Sequence, residues 1–439
     1  MSKKLKMLTS VALSTVLAVG SVSAASASKL SEKSNVMAST PSTSLYQTNS
    51  RQIRDHRRAW QGVKGTDPEG DQYLSFYHDI PDISGMRPGA IIRTQEVNNP
   101  WNTLGISENG PYKGVRILYT SINRTGKKIP VSGVVIEPKA PWKGKGSRPL
   151  VAFAPGTQGV GDKCAPSRKI ADGVGDYEQW FFTSMLKRGY AVVVTDYEGL
   201  GTPGMHTYMD RISQGHTVLD SVRAALNLDG WDLSAQTPLA MNGYSQGGGA
   251  VASAAELADD YAPELHFKIA IAGAVPADIS LIPQQYDGTV YFLAEAYAIL
   301  GLGKSYGVDF MSKLNEKGKK MMTLAANSCI TDFVPFVGVK LDQLTTDGST
   351  VQDLVAAEPY KSMLKEQHIG YDAPSMPVVV THSRGDDIIP YYVGEKLVSQ
   401  WRARGADVTF VPMSAGMHVT GTVAHLKIAM QQLANVFGR

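Results

Sequence analysis

The pentapeptide Gly243-Tyr244-Ser245-Gln246-Gly247 is where residue type and spacing point most directly to chemistry. It follows an apolar run at 239–242 and precedes Gly248, Gly249 and an alanine-rich stretch, so it reads as strand, sharp turn and helix. Small neighbours let the backbone pass close to strand and helix while the Ser245 hydroxyl stands clear above a sheet. The helix that starts there aims its first N–H groups at the same spot, which makes the backbone N–H of Gln246 a candidate donor to an oxyanion. The bland alternative is an ordinary glycine-rich turn.

A serine hydroxyl becomes a useful nucleophile only when a base takes its proton, and the base must be held by an acid. In this strand-turn-helix setting the expected chain order is serine, acid, histidine. Asp386 fits the acid: it follows a strand at 376–381, inside the loop His382 to Pro390, with Asp387 as its competitor. His418 fits the base, on a loop after the last strand at 408–412. His425, within the helix that follows, is the fallback, and His382 is expected to support the acid loop. A second oxyanion donor is expected from Ala154-Pro155-Gly156-Thr157-Gln158-Gly159, through the backbone N–H of Thr157 or Gln158. No cofactor is expected, because an acyl-enzyme splits the difficult step in two. Nor is a metal: the nine histidines are scattered, and neither H-E-x-x-H nor C-x-x-C occurs.

The elements that would position these residues form an alternation. Strand-like runs occur at 115–120, 131–137, 150–153, 191–195, 239–244, 269–273, 378–381 and 408–412, with helix candidates at 177–188, 215–228, 247–260 and 394–404. Runs such as VAFA and AVVVTD are continuously apolar, as in parallel strands covered by helices on both faces. The expectation is an α/β fold with a mostly parallel central sheet. Between about 279 and 372 the strand signals fade into helical patterns, which reads as an inserted cap over the strand ends, or else as additional core.

At the N-terminus, Lys3, Lys4 and Lys6 precede an apolar run at 7–22 and small residues ending at Ala27. This pattern predicts a signal peptide over 1–27; a membrane anchor fits less well, because Ser and Thr interrupt the run. Residues 28–59, rich in Ser, Thr and Asn in their first part, are expected to be a flexible mature terminus ahead of one domain at 60–439. Those three lysines account for the whole formal charge of +3, from 43 basic against 40 acidic residues. The remainder is neutral, so charge gives no reason to expect nucleic acid or an anionic membrane as partner. With 43% hydrophobic and 19% charged residues over 439 positions, disorder as the main state is excluded. Export to an oxidising compartment favours pairing of the two cysteines, Cys164 and Cys329; two buried thiols are the alternative.

The chain resembles the α/β-hydrolase superfamily, and within it the secretory lipase family known from yeasts and actinobacteria. The resemblance covers about 60–439. It is carried by G-T-Q-G, C-A-P-S at 164–167, T-D-Y-E-G-L-G at 195–201, V-L-D-S-V-R-A-A at 218–225, G-Y-S-Q-G-G, G-D-D-I-I-P and the terminal G-M-H. It implies a Ser245-Asp386-His418 triad, a lid-like cap between serine helix and acid strand, and hydrolysis of lipid esters. It also implies a disulfide joining the oxyanion loop to the cap. A second cysteine pair found in some members is missing here. The expected protein is therefore a secreted lipase or carboxylesterase with transient lipid-interface contact and no membrane span after signal removal; retention in the cell envelope is compatible with the same signal. An acyltransferase or peptidase on the same triad, or a non-catalytic binding protein on the same scaffold, are the competing readings.

Overall fold

Burial alternates along the strand Leu150–Ala154 in a way that sets the architecture. Leu150, Ala152 and Ala154 join one apolar cluster and Val151 and Phe153 another, so the strand is covered on both faces. The computed structural model describes residues 76–99, 103–173, 176–414 and 416–438. Its strands are β1 Ile91–Glu96, β2 Tyr112–Ile122, β3 Lys128–Pro138, β4 Leu150–Ala154, β5 Ala191–Thr195, β6 Leu239–Tyr244, β7 Phe267–Gly273, β8 Val378–Ser383 and β9 Val408–Met413. They form a single sheet in the order β1-β2-β3-β5-β4-β6-β7-β8-β9. The first three pairings are antiparallel and the five from β5 to β9 are parallel.

The mostly parallel α/β sheet is thus as the sequence predicts, with one addition. β1, sequence IIRTQE, is a half-exposed antiparallel edge strand, and its polar residues hide it from a search for apolar runs. One face of the sheet carries the helices Arg211–Leu226, Gln246–Tyr261 and Tyr391–Ala403, the other Gln179–Lys187 and His418–Phe437. The predicted signal peptide at 1–27 and mature terminus at 28–59 lie outside the described residues.

Between β7 and β8 no named strand occurs. The chain forms the helices Phe292–Tyr306, Glu316–Ala325, Val351–Ala356 and Tyr360–Glu366, joined by short 3-10 turns. Phe292, Leu293, Ala296, Phe336 and Leu341 from this segment are buried in the same cluster as Ala152. The insert is therefore packed into the molecule and not held by a stalk.

Cys164 and Cys329 are joined as a disulfide across 165 residues of sequence, with Cα atoms 5.4 Å apart. The contact around it extends the link: Gly159 bridges Cys329, and Ile330 N–H donates to Gln158 O at 2.9 Å. The loop after β4 and the insert are thus tied covalently and by backbone. Closing so long a loop restricts the unfolded chain strongly, by about 3–5 kcal/mol on the loop-closure account. Cys329→Ser is expected to lower the stability by that order, read from the denaturant midpoint; an unchanged midpoint would mean that the insert docks without it.

Candidate active site

Ser245 sits between β6 and the helix Gln246–Tyr261 with φ 61° and ψ −122°, a conformation that L-residues adopt only under constraint. The constraint is close backbone packing. A Cβ on Gly247 would stand 2.0 Å from Ala154 O, and one on Gly243 would stand 2.3 Å from Gly247 O. Ser245 N–H donates to Gly273 O at 2.9 Å, fixing the turn to β7. Only glycine fits at 243 and 247, so strand and helix meet at a sharp elbow with the hydroxyl outward. Gly247→Ala is expected to cost ~3 kcal/mol or more in unfolding free energy by forcing this contact apart. Wild-type stability in that variant would show that the elbow is looser than the structure has it.

The predicted acid and base follow the ends of β8 and β9. His418 Nδ1 lies 2.8 Å from Asp386 Oδ2 and 3.0 Å from Oδ1. Asp386 Oδ1 also accepts from Ile388 N–H at 3.0 Å and Ile389 N–H at 2.8 Å, so the carboxylate is held from two sides. Burial alone would raise its pKa, but the His418 hydrogen bond and charge, the Ile389 N–H and the nearby His382 outweigh that. The net effect places Asp386 below the usual carboxylate range and keeps it ionised at neutral pH. Because the carboxylate accepts at Nδ1, Nε2 of His418 is left free to take a proton.

Tyr244 brings this pair to the serine. Its hydroxyl donates to His418 O at 2.8 Å, and its ring lies 5.0 Å from the His418 ring. The residue before Ser245 therefore packs directly on the histidine. Among the described residues no hydrogen bond joins Ser245 Oγ to His418; such nucleophile–base contacts often tighten only in the substrate complex.

The competing assignments separate by their contacts. Asp387 does not reach the imidazole ring of His418 by a hydrogen bond; it accepts from His418 N–H at 2.8 Å and from the Tyr291 hydroxyl of the insert. His425 is fully buried, takes a hydrogen bond from Asn242 Nδ2 at Nε2 (3.0 Å) and bonds Thr381 Oγ1 through Nδ1 (2.7 Å), so both nitrogens are occupied. Burial pushes its pKa down to about 3, and it stays neutral. His382 donates from Nε2 to Ile389 O at 2.9 Å and braces the acid loop. His418 itself is the first residue of the helix His418–Phe437, not part of a loop as the sequence suggested, because the preceding Met417 offers no side-chain cap to mark the helix start.

The predicted oxyanion donors lie on the elbow and on the loop after β4. The backbone N–H groups of Gln246 and Thr157 donate to no protein acceptor among the described residues. Gln158 is tied down by its side chain, with Nε2 3.1 Å from Glu178 and Oε1 accepting from Lys169 at 2.7 Å, whereas Thr157 is half-buried and bonds the Tyr208 hydroxyl at 2.7 Å. Gln246 is oriented by its own side chain, which donates to His206 Nε2 at 3.0 Å. His206 Nδ1 in turn bonds Glu198 O at 2.8 Å, and burial lowers its pKa to about 4, so it accepts as the neutral ring.

Two residues that the sequence reading passed over support this loop. Glu178 accepts from Gly156 N–H at 2.8 Å, and Asp176 accepts from Glu178 N–H at 2.8 Å. Burial first, and the charge of Asp176 second, raise Glu178 well above the usual carboxylate range. The run D-Y-E at 176–178 was the available signal, but nothing in it says that the acids fold beneath residue 156. Among the described residues no cluster of His, Cys, Asp and Glu is arranged to hold a metal ion, and no helix is long and apolar enough to cross a membrane.

A family model described as secretory lipase matches residues 170–438. A secreted triacylglycerol lipase of Malassezia furfur is 30% identical over 272 residues, spanning 58% of this chain and 69% of that protein. A Mycobacterium tuberculosis protein described as "Probable inactive lipase" is 26% identical over 349 residues, 76% of this chain and 75% of its own. Among solved structures, Candida antarctica lipase A in its closed state superposes with a TM-score of 0.71 at 20% identity, covering 85% of this chain and 88% of that one.

Proposed function

The chain belongs to the secretory lipase family, and from that membership we propose that it hydrolyses lipid carboxylic esters through an acyl-enzyme on Ser245. Ser245 Oγ attacks the ester carbonyl carbon while His418 Nε2 takes its proton. Asp386 holds the imidazole in the required tautomer and stabilises the imidazolium. The tetrahedral oxyanion is received by the N–H groups of Gln246 and Thr157. Collapse breaks the bond to the alcohol, which leaves with the proton from His418; water, activated by the same histidine, then releases the fatty acid.

The observation that carries this reading is the Asp386–His418 pair at 2.8 Å, held against the Ser245 elbow by Tyr244. The acyl side is supported by a cavity of about 80 Å³ lined by Tyr208, whose hydroxyl bonds Thr157, and by residues of the insert. Apart from Glu295 and the tyrosines Tyr208, Tyr286 and Tyr360 its lining is aliphatic, which suits a hydrocarbon chain. We assign residues 279–372 as a cap on that basis. Export through the 1–27 segment completes the proposal, in keeping with the secreted relative.

The test is hydrolysis of p-nitrophenyl esters of increasing acyl length and of emulsified triacylglycerol by the chain without residues 1–27. Release of p-nitrophenol and of fatty acid is expected. A folded protein that hydrolyses neither would favour the non-catalytic reading, and acyl transfer to added alcohols outrunning release to water would favour an acyltransferase.

A further inference from the structure

We propose, resting on the ester-hydrolase reading, that Glu295 recognises an uncharged oxygen carried part-way along the acyl chain, so that hydroxylated acyl esters are preferred substrates of this site. Two separate observations meet at this residue. The first is the cavity, whose lining includes Ile282, Ala298, Ile299, Leu302 and Leu354. The second is the carboxyl itself: Glu295 is 3% exposed and lines that cavity, yet neither Oε1 nor Oε2 has a hydrogen-bond partner among the described residues. A buried polar group without a partner costs free energy that leucine in the same place would not. Such an orphan calls for a partner from outside the chain.

The ordinary explanation is that Glu295 lies in the first turn of the helix Phe292–Tyr306, where acids favour the helix dipole. An acid serving only that end would face solvent or bond the free N–H groups of the turn, and Glu295 does neither. Burial, followed by the charge of Asp287, raises its pKa to about 9. At neutral pH it is therefore a neutral carboxyl, offering one O–H donor and one C=O acceptor, the pair that an alcohol can satisfy together. Tyr208 bonds Thr157 in the predicted oxyanion loop, and Tyr286, which lines the same cavity, has its ring 6.2 Å from that of Tyr291, whose hydroxyl donates to Asp387. On this proposal a chain with its carbonyl at Ser245 runs past these tyrosines to the carboxyl.

The experiment compares p-nitrophenyl octadecanoate with a panel of hydroxyoctadecanoates that differ only in hydroxyl position. Wild type, Glu295→Gln and Glu295→Leu are run side by side, each normalised by active-site titration. Wild type is expected to show a kcat/KM for one hydroxyl position about tenfold or more above the plain ester. Glu295→Gln, which keeps a donor and an acceptor, retains that preference, and Glu295→Leu reverses it. Because it removes an unpaired carboxyl, Glu295→Leu also melts above wild type. A flat panel in wild type, a preference that survives in Glu295→Leu, or a lower melting temperature for that variant would overturn the proposal. If wild type cleaves the plain ester but shows a flat panel, only this proposal fails; if it cleaves no ester, the ester-hydrolase reading falls first and takes the proposal with it.

Discussion

Ser245→Ala is expected to reduce ester hydrolysis by ~10⁴-fold or more while leaving the unfolding transition close to that of wild type. The two halves of this expectation have different origins. On the proposed mechanism the rate falls because the covalent route is lost: Oγ is the atom that the elbow holds outward, and neither His418 nor the proposed oxyanion donors can act as nucleophile in its place. The fold stays because Ser245 contributes mainly backbone to the structure, through its N–H bond to Gly273 and its carbonyl bond to Gly249 N–H at 3.0 Å. Alanine bears the positive φ no worse than serine does. Initial rates and a thermal melt on one preparation check both halves. A variant that keeps a tenth of the activity would remove Ser245 from the mechanism.

Asp386→Asn is expected to cost ~10³ to 10⁴-fold in kcat, and the local geometry gives the reason. Asp386 Oδ1 accepts from Ile388 and Ile389 N–H, so an asparagine will turn its carbonyl oxygen to that side. Its NH2 group then faces His418 Nδ1, which must become an acceptor, and the ring proton moves to Nε2. In that tautomer His418 cannot take the serine proton. Asp387→Asn is a sharp contrast. Asp387 touches His418 through the backbone N–H and Tyr291 through its hydroxyl, so its loss loosens the histidine without changing the tautomer, and about a tenfold effect is expected. Equal losses in the two variants would return the acid assignment to both residues.

The depressed pKa of Asp386 also fixes the sign of its contribution to stability. The native state holds this carboxylate ionised more tightly than the unfolded chain does. Its contribution is therefore fully present above the unfolded value near ~4 and is lost as pH falls through the lower folded value. In Asp386→Asn that part of the acid dependence should disappear, which denaturant melts across the acid range would detect.

The parts of this site that were legible in the sequence share a local cause. Gly243, Ser245 and Gly247 declare a turn because their spacing is set by contacts within a few residues, and the continuous apolar runs of β4, β5 and β6 follow from burial on both faces. Asp386 and His418, which the structure pairs, stood out through chain order after strands. What was hidden depends on contacts between distant positions. Nothing near Tyr244 says that it will bond His418 O, and nothing near Glu178 says that it will sit beneath Gly156. Asp387 looked like a rival acid because adjacent aspartates are indistinguishable until Tyr291, 96 positions away, takes one of them. Glu295 was invisible for the opposite reason: an acid in the first turn of a helix is what local propensity expects, and only the packing around it makes the residue unusual.

The most direct test of the central claim is to label the folded protein with a fluorophosphonate and locate the adduct by peptide mass spectrometry. The geometry predicts one phosphonylated residue, Ser245, with labelling abolished in Ser245→Ala and slowed strongly in His418→Ala. An adduct on a different serine, or a folded protein that takes up no label, would contradict it.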